Sequence, residues 1–302
     1  MSRRGWVLFA AMCVIWGIPY LLIKVAVEEL APATLVLART GLAALVLLPI
    51  ALFQGQLRGM RASWLQLVEY TLVEICGPFL LLADAETRLS SSLTGLLIAA
   101  VPIVGVVLVR ASGGKERLGP RRLTGLLLGF AGVAALVGLD VATDDLLAVL
   151  AVAGVVLGYA LGPLILARRL SQLPGVGVVA ASLTLTALAY LPAGLMQAPR
   201  EWPSGRVLAA VLALALVCTG LAFLVFFQLI AEVGPARATV ITYINPAVAV
   251  LLGVLVLDER FTIVTGIGFV LVLTGAVLAT ARSEVTDPTA DVPAVPAPAP
   301  TC

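Results

Sequence analysis

The chain has 302 residues, of which 61% are hydrophobic and 12% charged, with a formal net charge of +2 and a mean hydropathy of +1.11. A soluble domain carries about 25% charged residues, so this chain cannot cover itself with a water-facing surface. It contains no histidine, which removes the commonest metal ligand and the commonest general base.

In chain order, apolar stretches cover 5–25, 33–53, 64–83, 91–110, 122–140, 146–167, 175–196, 207–231, 236–257 and 261–281. Each is about 20 residues long, the length a spanning helix needs. Short connections join them, so the expected fold class is all-α integral membrane with ten transmembrane helices. The opening Met-Ser-Arg-Arg could begin a signal peptide. The apolar run behind it is too long, however, and no small-residue cleavage site follows, so it is read as helix one. Residues 284–302, ending TDPTADVPAVPAPAPTC, form a Pro/Ala/Asp-rich tail that cannot build a core and is expected to be disordered.

Orientation follows from the connections. With the N-terminus inside, one side holds Arg3, Arg4, Arg58, Arg61, Arg110, Lys115, Arg117, Arg121, Arg122, Arg168, Arg169, Arg237 and Arg282. The other holds Arg88, Arg200, Arg206 and Arg260, with acids such as Glu28, Glu29, Asp140, Asp144 and Asp145. Cytoplasmic loops carry the Lys/Arg excess, so both termini are expected in the cytoplasm of a multi-pass protein of the plasma (inner) membrane. Cys13, Cys76 and Cys218 fall within spans and Cys302 ends the chain. Such thiols act as small apolar residues, and their spacing forms neither a disulfide framework nor a metal site. No cofactor, metal or nucleic-acid partner is expected.

Polar residues within the spans cost ~2.5–3.5 kcal/mol each at a helix centre and need a reason. Glu74 lies about ten residues past Trp64, or ~15 Å along the axis, near the bilayer midplane. A carboxylate there can bind a cation, a proton, or both in competition, because desolvation favours its neutral form. The competing reading is a permanently protonated Glu. Gly77 and Pro78 interrupt the helix just beyond it. Glu69, one and a half turns nearer the cytoplasm, is read as interfacial.

In helix one, Trp16 falls at about the same depth as Glu74, and Tyr20 follows one turn on. Two aromatic rings beside a carboxylate suit an organic cation or an ammonium; alternatively both rings fill space. Gly17 and Pro19 loosen this helix and free carbonyls. Lys24 is expected to snorkel outward rather than pair with Glu74. Arg39 either snorkels or pairs with Asp84 or Glu86. Pro102 and Pro246 each stand about ten residues into a span, a matched pair of kinks that could form a hinge or cavity wall. Thr242, Tyr243 and Asn245 share the turn before Pro246. Asn245, the only asparagine, is a candidate ligand for a carboxylate or amide or else an interhelical clasp. Ser90-Ser91-Ser92 is read as the cap of helix four.

The chain also repeats itself at an offset of 143 residues, the step from Gly77 to Gly220. Pro49 falls on Pro192, Glu116-Arg117 on Glu259-Arg260, Gly125 on Gly268 and Gly132 on Gly275, and Pro102 meets Pro246 after one insertion. Five spans per copy turn the second copy upside down, giving two inverted five-helix repeats over 1–143 and 144–283. Both Glu-Arg pairs fall at helix starts on opposite faces, which fits capping or gating.

The segments WGIPYLLIKVA (16–26), Pro32 with LVLARTGLAALVLLP (35–49), SSSLTGLLIAAVPIVGVVLV (90–109) and VGPARATVITYINPAVAVLLGVLVLDERFTIVTGIGFVLVLTGAVL (233–278) together resemble EamA domains of the drug/metabolite transporter superfamily. The resemblance spans about 5–282. It implies a secondary transporter that exports a small metabolite, an amino acid or a related amine or drug-like solute, coupled to protons or working by exchange. This chain departs from internal symmetry where Glu74 faces Val217 in the second copy, and where Lys115-Glu116 faces Asp258-Glu259. From the residues, the substrate-binding candidates are Trp16, Tyr20, Glu74, Tyr243 and Asn245. Glu74 is also the coupling candidate, and the hinge candidates are Gly17, Pro19, Gly77, Pro78, Pro102 and Pro246. A lipid-modifying membrane enzyme or a membrane scaffold are the rival readings. No Asp-rich or His-containing cluster supports the enzyme, and GGKE (113–116) lacks the residues of a P-loop. The sequence leaves substrate, coupling ion and the choice of monomer or homodimer open.

Overall fold

The computed structural model describes residues 2–111, 119–140, 145–234, 238 and 240–280. All regular structure among them is helical. We number the helices α1 Arg3–Ala26, α2 Pro32–Phe53, α3 Met60–Ala85 and α4 Ser91–Ala111; then α5 Pro120–Asp140, α6 Leu146–Arg169, α7 Gly175–Met196, α8 Gly205–Val233, α9 Ile241–Val256 and α10 Ile263–Thr280. Seven of them, α1–α4 and α6–α8, are long and apolar enough to cross a membrane; α9 and α10 contain shorter apolar helices. The protein is therefore an all-α membrane protein. The tail from 284, the Glu116-Arg117 pair, Lys115, Asp144, Arg237 and Arg282 lie outside the described residues.

Local chemistry sets the boundaries. Ser2 caps α1 by accepting from Gly5 N–H, Ser90 caps α4 through Leu93 N–H, and Ser204 caps α8 through Val207 N–H. Each hydroxyl satisfies a donor that the first turn leaves orphaned. Pro32 opens α2, where a missing N–H costs nothing. Gly55 and Gly59, both at positive φ, turn the chain between α2 and α3.

Two helices widen in corresponding places. Residues Thr71–Cys76 of α3 and Ala213–Leu221 of α8 are π-helical. In α3 the cause is visible: Pro78 has no N–H and its ring would strike the carbonyl four residues earlier, so Gly77 N–H reaches back five residues to Leu72 O. In α8 the Thr219 hydroxyl donates to Leu214 O, also five residues back. Such π segments often mark functional positions.

The main packings relate the halves. α2 lies on α7, α4 on α9 and α5 on α10; α3 touches α6 and α7, as α8 touches α1 and α2. α5 and α10 approach until a Cβ at Gly275 would stand 2.6 Å from Gly129 Cα. Such contact without side chains between backbones is how small residues hold membrane helices together. Away from these seams Leu45, Leu127, Leu150, Leu188, Leu255 and Ile263 are exposed. So broad an apolar surface is untenable in water and ordinary against lipid.

Candidate functional site

α1 is broken in the middle. Its first part ends at Ile15 and the second resumes at Pro19. Gly17 N–H turns to Val14 O instead of Cys13 O, its regular partner. The freed Cys13 carbonyl accepts from the Asn245 amide at 3.1 Å, and the same nitrogen donates to Ile241 O at 3.0 Å. Asn245 therefore clasps α9 to the break in α1. Gly17 lets them meet, since a Cβ there would stand 2.5 Å from Val248 Cγ1.

Glu74 sits in the π segment of α3. The face of α6 opposite it carries Gly154, Gly158 and Gly162, spaced four apart, and this groove receives α3. A Cβ at Gly154 would meet Leu81 at 3.0 Å, one at Gly158 would meet Pro78 Cγ at 2.8 Å, and one at Gly162 would overlap the Glu74 carboxyl, 2.6 Å from its Cδ. Glu74 Oε2 is buried there with no hydrogen-bond partner among the described residues. A buried acceptor left unpaired costs ~1–3 kcal/mol or more, so this oxygen needs a proton or a ligand.

Further polar groups gather around it. Arg39, 7% exposed, lays its guanidinium over the Phe79 ring at 3.9 Å and donates from Nε to Thr219 Oγ1 at 2.9 Å. It neither snorkels nor pairs with Asp84 or Glu86 by hydrogen bonding. A planar, weakly hydrated cation tolerates an aromatic face better than a long path to water. Tyr159 of α6 lies within electrostatic range of Arg39, Glu74 and Glu86, and Tyr20 of α1 within range of Tyr159, Glu86 and Arg39. Lys24 forms no pair with Glu74: its Nζ donates to Glu86 O at 2.7 Å and Leu89 O at 2.8 Å. Carbonyls freed where α3 ends supply these acceptors, so the Lys24 side chain runs to the end of the helices, as a snorkelling lysine does. Glu86 itself is fully buried, with neither carboxylate oxygen hydrogen-bonded among the described residues.

The remaining candidates lie elsewhere. Trp16 packs edge-on to Phe223 at 5.9 Å and against Phe226 at 4.6 Å, both from α8. Tyr243 donates to Ala276 O at 3.4 Å, facing α10. α4 is interrupted at Ala99-Ala100, just ahead of Pro102, whereas α9 runs unbroken through the buried Pro246. The matched prolines thus break the helix on one side only. Glu69 forms an exposed ion pair with Arg169.

Of the candidates, the structure brings Tyr20, Glu74, Gly77 and Pro78 to one region. Arg39, Tyr159, Glu86 and Thr219 belong there too and were not selected from sequence. The glycine spacing 154-158-162 was the available signal for α6. Together these groups offer carboxylates, a guanidinium and phenols in a water-poor interior, a set suited to holding a small polar solute or a proton. Among the described residues no three His, Cys, Asp or Glu side chains gather as metal ligands.

A model described as the EamA-like transporter family matches twice, over residues 3–138 and 146–281. The chain is 23% identical to the uncharacterized transporter YvbV of Bacillus subtilis, over 94% of this chain and 93% of that protein. It is 29% identical to the uncharacterized inner membrane transporter YedA of Escherichia coli K12, over 80% and 79%. An uncharacterized transporter of Archaeoglobus fulgidus is 24% identical over 94% of this chain and all of that one. One protein crystal structure superposes with a TM-score of 0.67 at 23% identity, covering 92% of this chain and 98% of that chain, which shows a shared fold.

Proposed function

The chain belongs to the EamA-like transporter family, and from that premise we propose that it is a secondary transporter exporting a small amine-bearing metabolite, an amino acid or a related amine or drug-like solute. In this reading residues 1–143 and 144–283 are inverted repeats of five spans each, ten in all. They rock against each other around a site at the midplane. Both termini and the tail 284–302 face the cytoplasm. The packing pattern, in which α3 on α6 is answered by α8 on α1, supports the symmetry.

One observation carries the site: Glu74 Oε2, buried without a partner over Gly162. A substrate ammonium or a proton occupies that carboxylate in turn, so binding of one releases the other. Tyr20 and Tyr159 offer their faces and hydroxyls to the solute, and Arg39 holds its anionic end when it has one. Trp16 and Asn245 act at one remove, through the α8 aromatic cluster and the α1 break.

The test is counterflow in proteoliposomes with labelled amino acids and amines. Exchange of label is expected, and product formation without exchange would instead reveal an enzyme. Glu74→Gln should remove pH-dependent accumulation while leaving the protein folded. Wild-type accumulation and pH dependence in that variant would refute the role of Glu74.

A further inference from the structure

A second carboxylate, Glu86, lies at the edge of this region, where α3 ends and α4 begins. The connection after α9 reaches this place from the other half of the chain. Asp258 adopts a left-handed conformation, φ 53°, which short polar residues tolerate at a helix C-terminus. That turn lets Glu259 N–H return to Gly253 O and throws the Glu259 side chain across onto α4. There its two oxygens accept from Ser91 N–H at 2.7 Å and Ser92 N–H at 2.9 Å. A carboxylate on the first N–H groups of a helix is a strong, charge-assisted attachment. It joins the halves at this face.

Glu86 lies within electrostatic range of Glu259, fully buried and without a hydrogen bond among the described residues. The charged and titratable groups facing it are Lys24 and Tyr20 from α1, Arg39 from α2, Tyr159 from α6 and Glu259 from the α9–α10 connection. The Ser91 and Ser92 hydroxyls at the α4 start are likewise buried and unpartnered. Lys24 has committed two donors to backbone carbonyls, and Arg39 is held by Phe79 and Thr219. Neither neutralises the Glu86 carboxylate by direct contact. Burial chiefly, opposed by Lys24 and reinforced by Glu259, holds the Glu86 carboxyl well above the usual carboxylate range.

We propose that Glu86 is a second proton-binding site, whose ionisation releases the Glu259 attachment to α4 and so opens this face of the transporter. The inference rests on the transport reading for its purpose, since the face in question is then the outer one. With Glu86 neutral, Glu259 is the one anion over the α4 start and the halves stay joined. When the Glu86 O–H bond breaks, the electron pair stays on the carboxylate and the proton passes to outside water. Two like charges then share a dry site, which weakens the joint. Lys24 keeps the ionised form within reach.

Amide hydrogen exchange at Ser91 and Ser92 in purified full-length protein without substrate reads the joint directly, with protection factors corrected for intrinsic rates. Loss of one proton per opening changes the opening equilibrium by about tenfold per pH unit. In wild type, protection should fall by that factor over the range in which Glu86 ionises. Glu86→Gln should keep high protection at every pH, and Glu259→Gln low protection at every pH. A flat wild-type profile, or the wild-type fall retained in Glu86→Gln, overturns the proposal. If Glu86→Gln does not fold, infrared difference spectra of wild type decide: a carboxyl C=O band should vanish over the same range and persist in Glu74→Gln. Absence of the band, or its loss in Glu74→Gln, overturns the proposal equally. Counterflow without the pH-dependent fall would remove this proton site alone, whereas the fall without counterflow would remove the transport reading.

Discussion

Substituting Gly162 with alanine tests the seat of Glu74. The added Cβ would overlap Glu74 Oε2 and stand 2.6 Å from its Cδ and 2.9 Å from its Cβ. Carbon atoms at rest sit ~3.5–4.0 Å apart, so the carboxyl must move by roughly 1 Å or α6 must step away. Overpacking of this kind costs ~1–3 kcal/mol, and each kcal/mol lowers the melting temperature by about 2–4 °C in a chain of moderate size. A displaced carboxyl that loses ~1.4 kcal/mol of contact with an amine weakens apparent affinity about tenfold. Thermal unfolding in detergent and counterflow half-saturation measure the two effects. Gly154→Ala is the control, because its Cβ would meet the movable end of Leu81 at 3.0 Å and should cost little. In the background of Glu74→Ala the Gly162→Ala penalty should shrink by at least ~1 kcal/mol, the coupling expected of touching residues. Additive costs, or a Gly162→Ala protein indistinguishable from wild type, would show that the carboxyl does not rest there.

Trp16→Ala should lower stability by about 2 kcal/mol, less than the ~3–5 kcal/mol of a fully buried ring, through loss of its Phe223 and Phe226 contacts. A large affinity loss at unchanged melting temperature would return Trp16 to the substrate. Arg39→Lys should destabilise by about 1–2 kcal/mol despite keeping the charge, because an ammonium cannot reproduce the planar stacking on Phe79 and the Nε bond to Thr219; unchanged unfolding would refute this. Where the α1–α2 and α7–α8 connections meet, Ser204, by its side chain and then its backbone N–H, holds the exposed Glu29 carboxyl below its ordinary value. A depressed value stabilises the folded state above the ordinary carboxylate range, and that contribution is lost as pH falls through the lowered value. Glu29→Gln should therefore flatten the acid limb of the stability profile, and an unaltered limb counts against the contact.

The apolar stretches located the observed helices to within a few residues, because a spanning helix must be continuous and greasy over a fixed length. The broken first helix was equally legible, since Gly17 and Pro19 weaken a helix in any surroundings. Ser90 as a cap needed only its own turn. Arg39 was misread because its partners, Thr219 and Phe79, come from other helices. Distance along the chain does not disclose such partners, and snorkelling is the default without them. Trp16 and Tyr20 share a face one turn apart, yet the break between them sends one to the α8 phenylalanines and the other toward Arg39 and Tyr159.

By itself, then, the sequence determined that this chain belongs in a membrane, where its helices run and that a carboxylate stands deep in the third. Those properties follow from composition, length and backbone chemistry that each segment carries alone. The tertiary structure decided what faces that carboxylate. Glu74 lies over Gly162 because three glycines let α6 approach a widened α3, and Glu259 reaches α4 because a left-handed Asp258 turns it there. Both depend on how closely two backbones can come together, a property of the pair that neither segment carries.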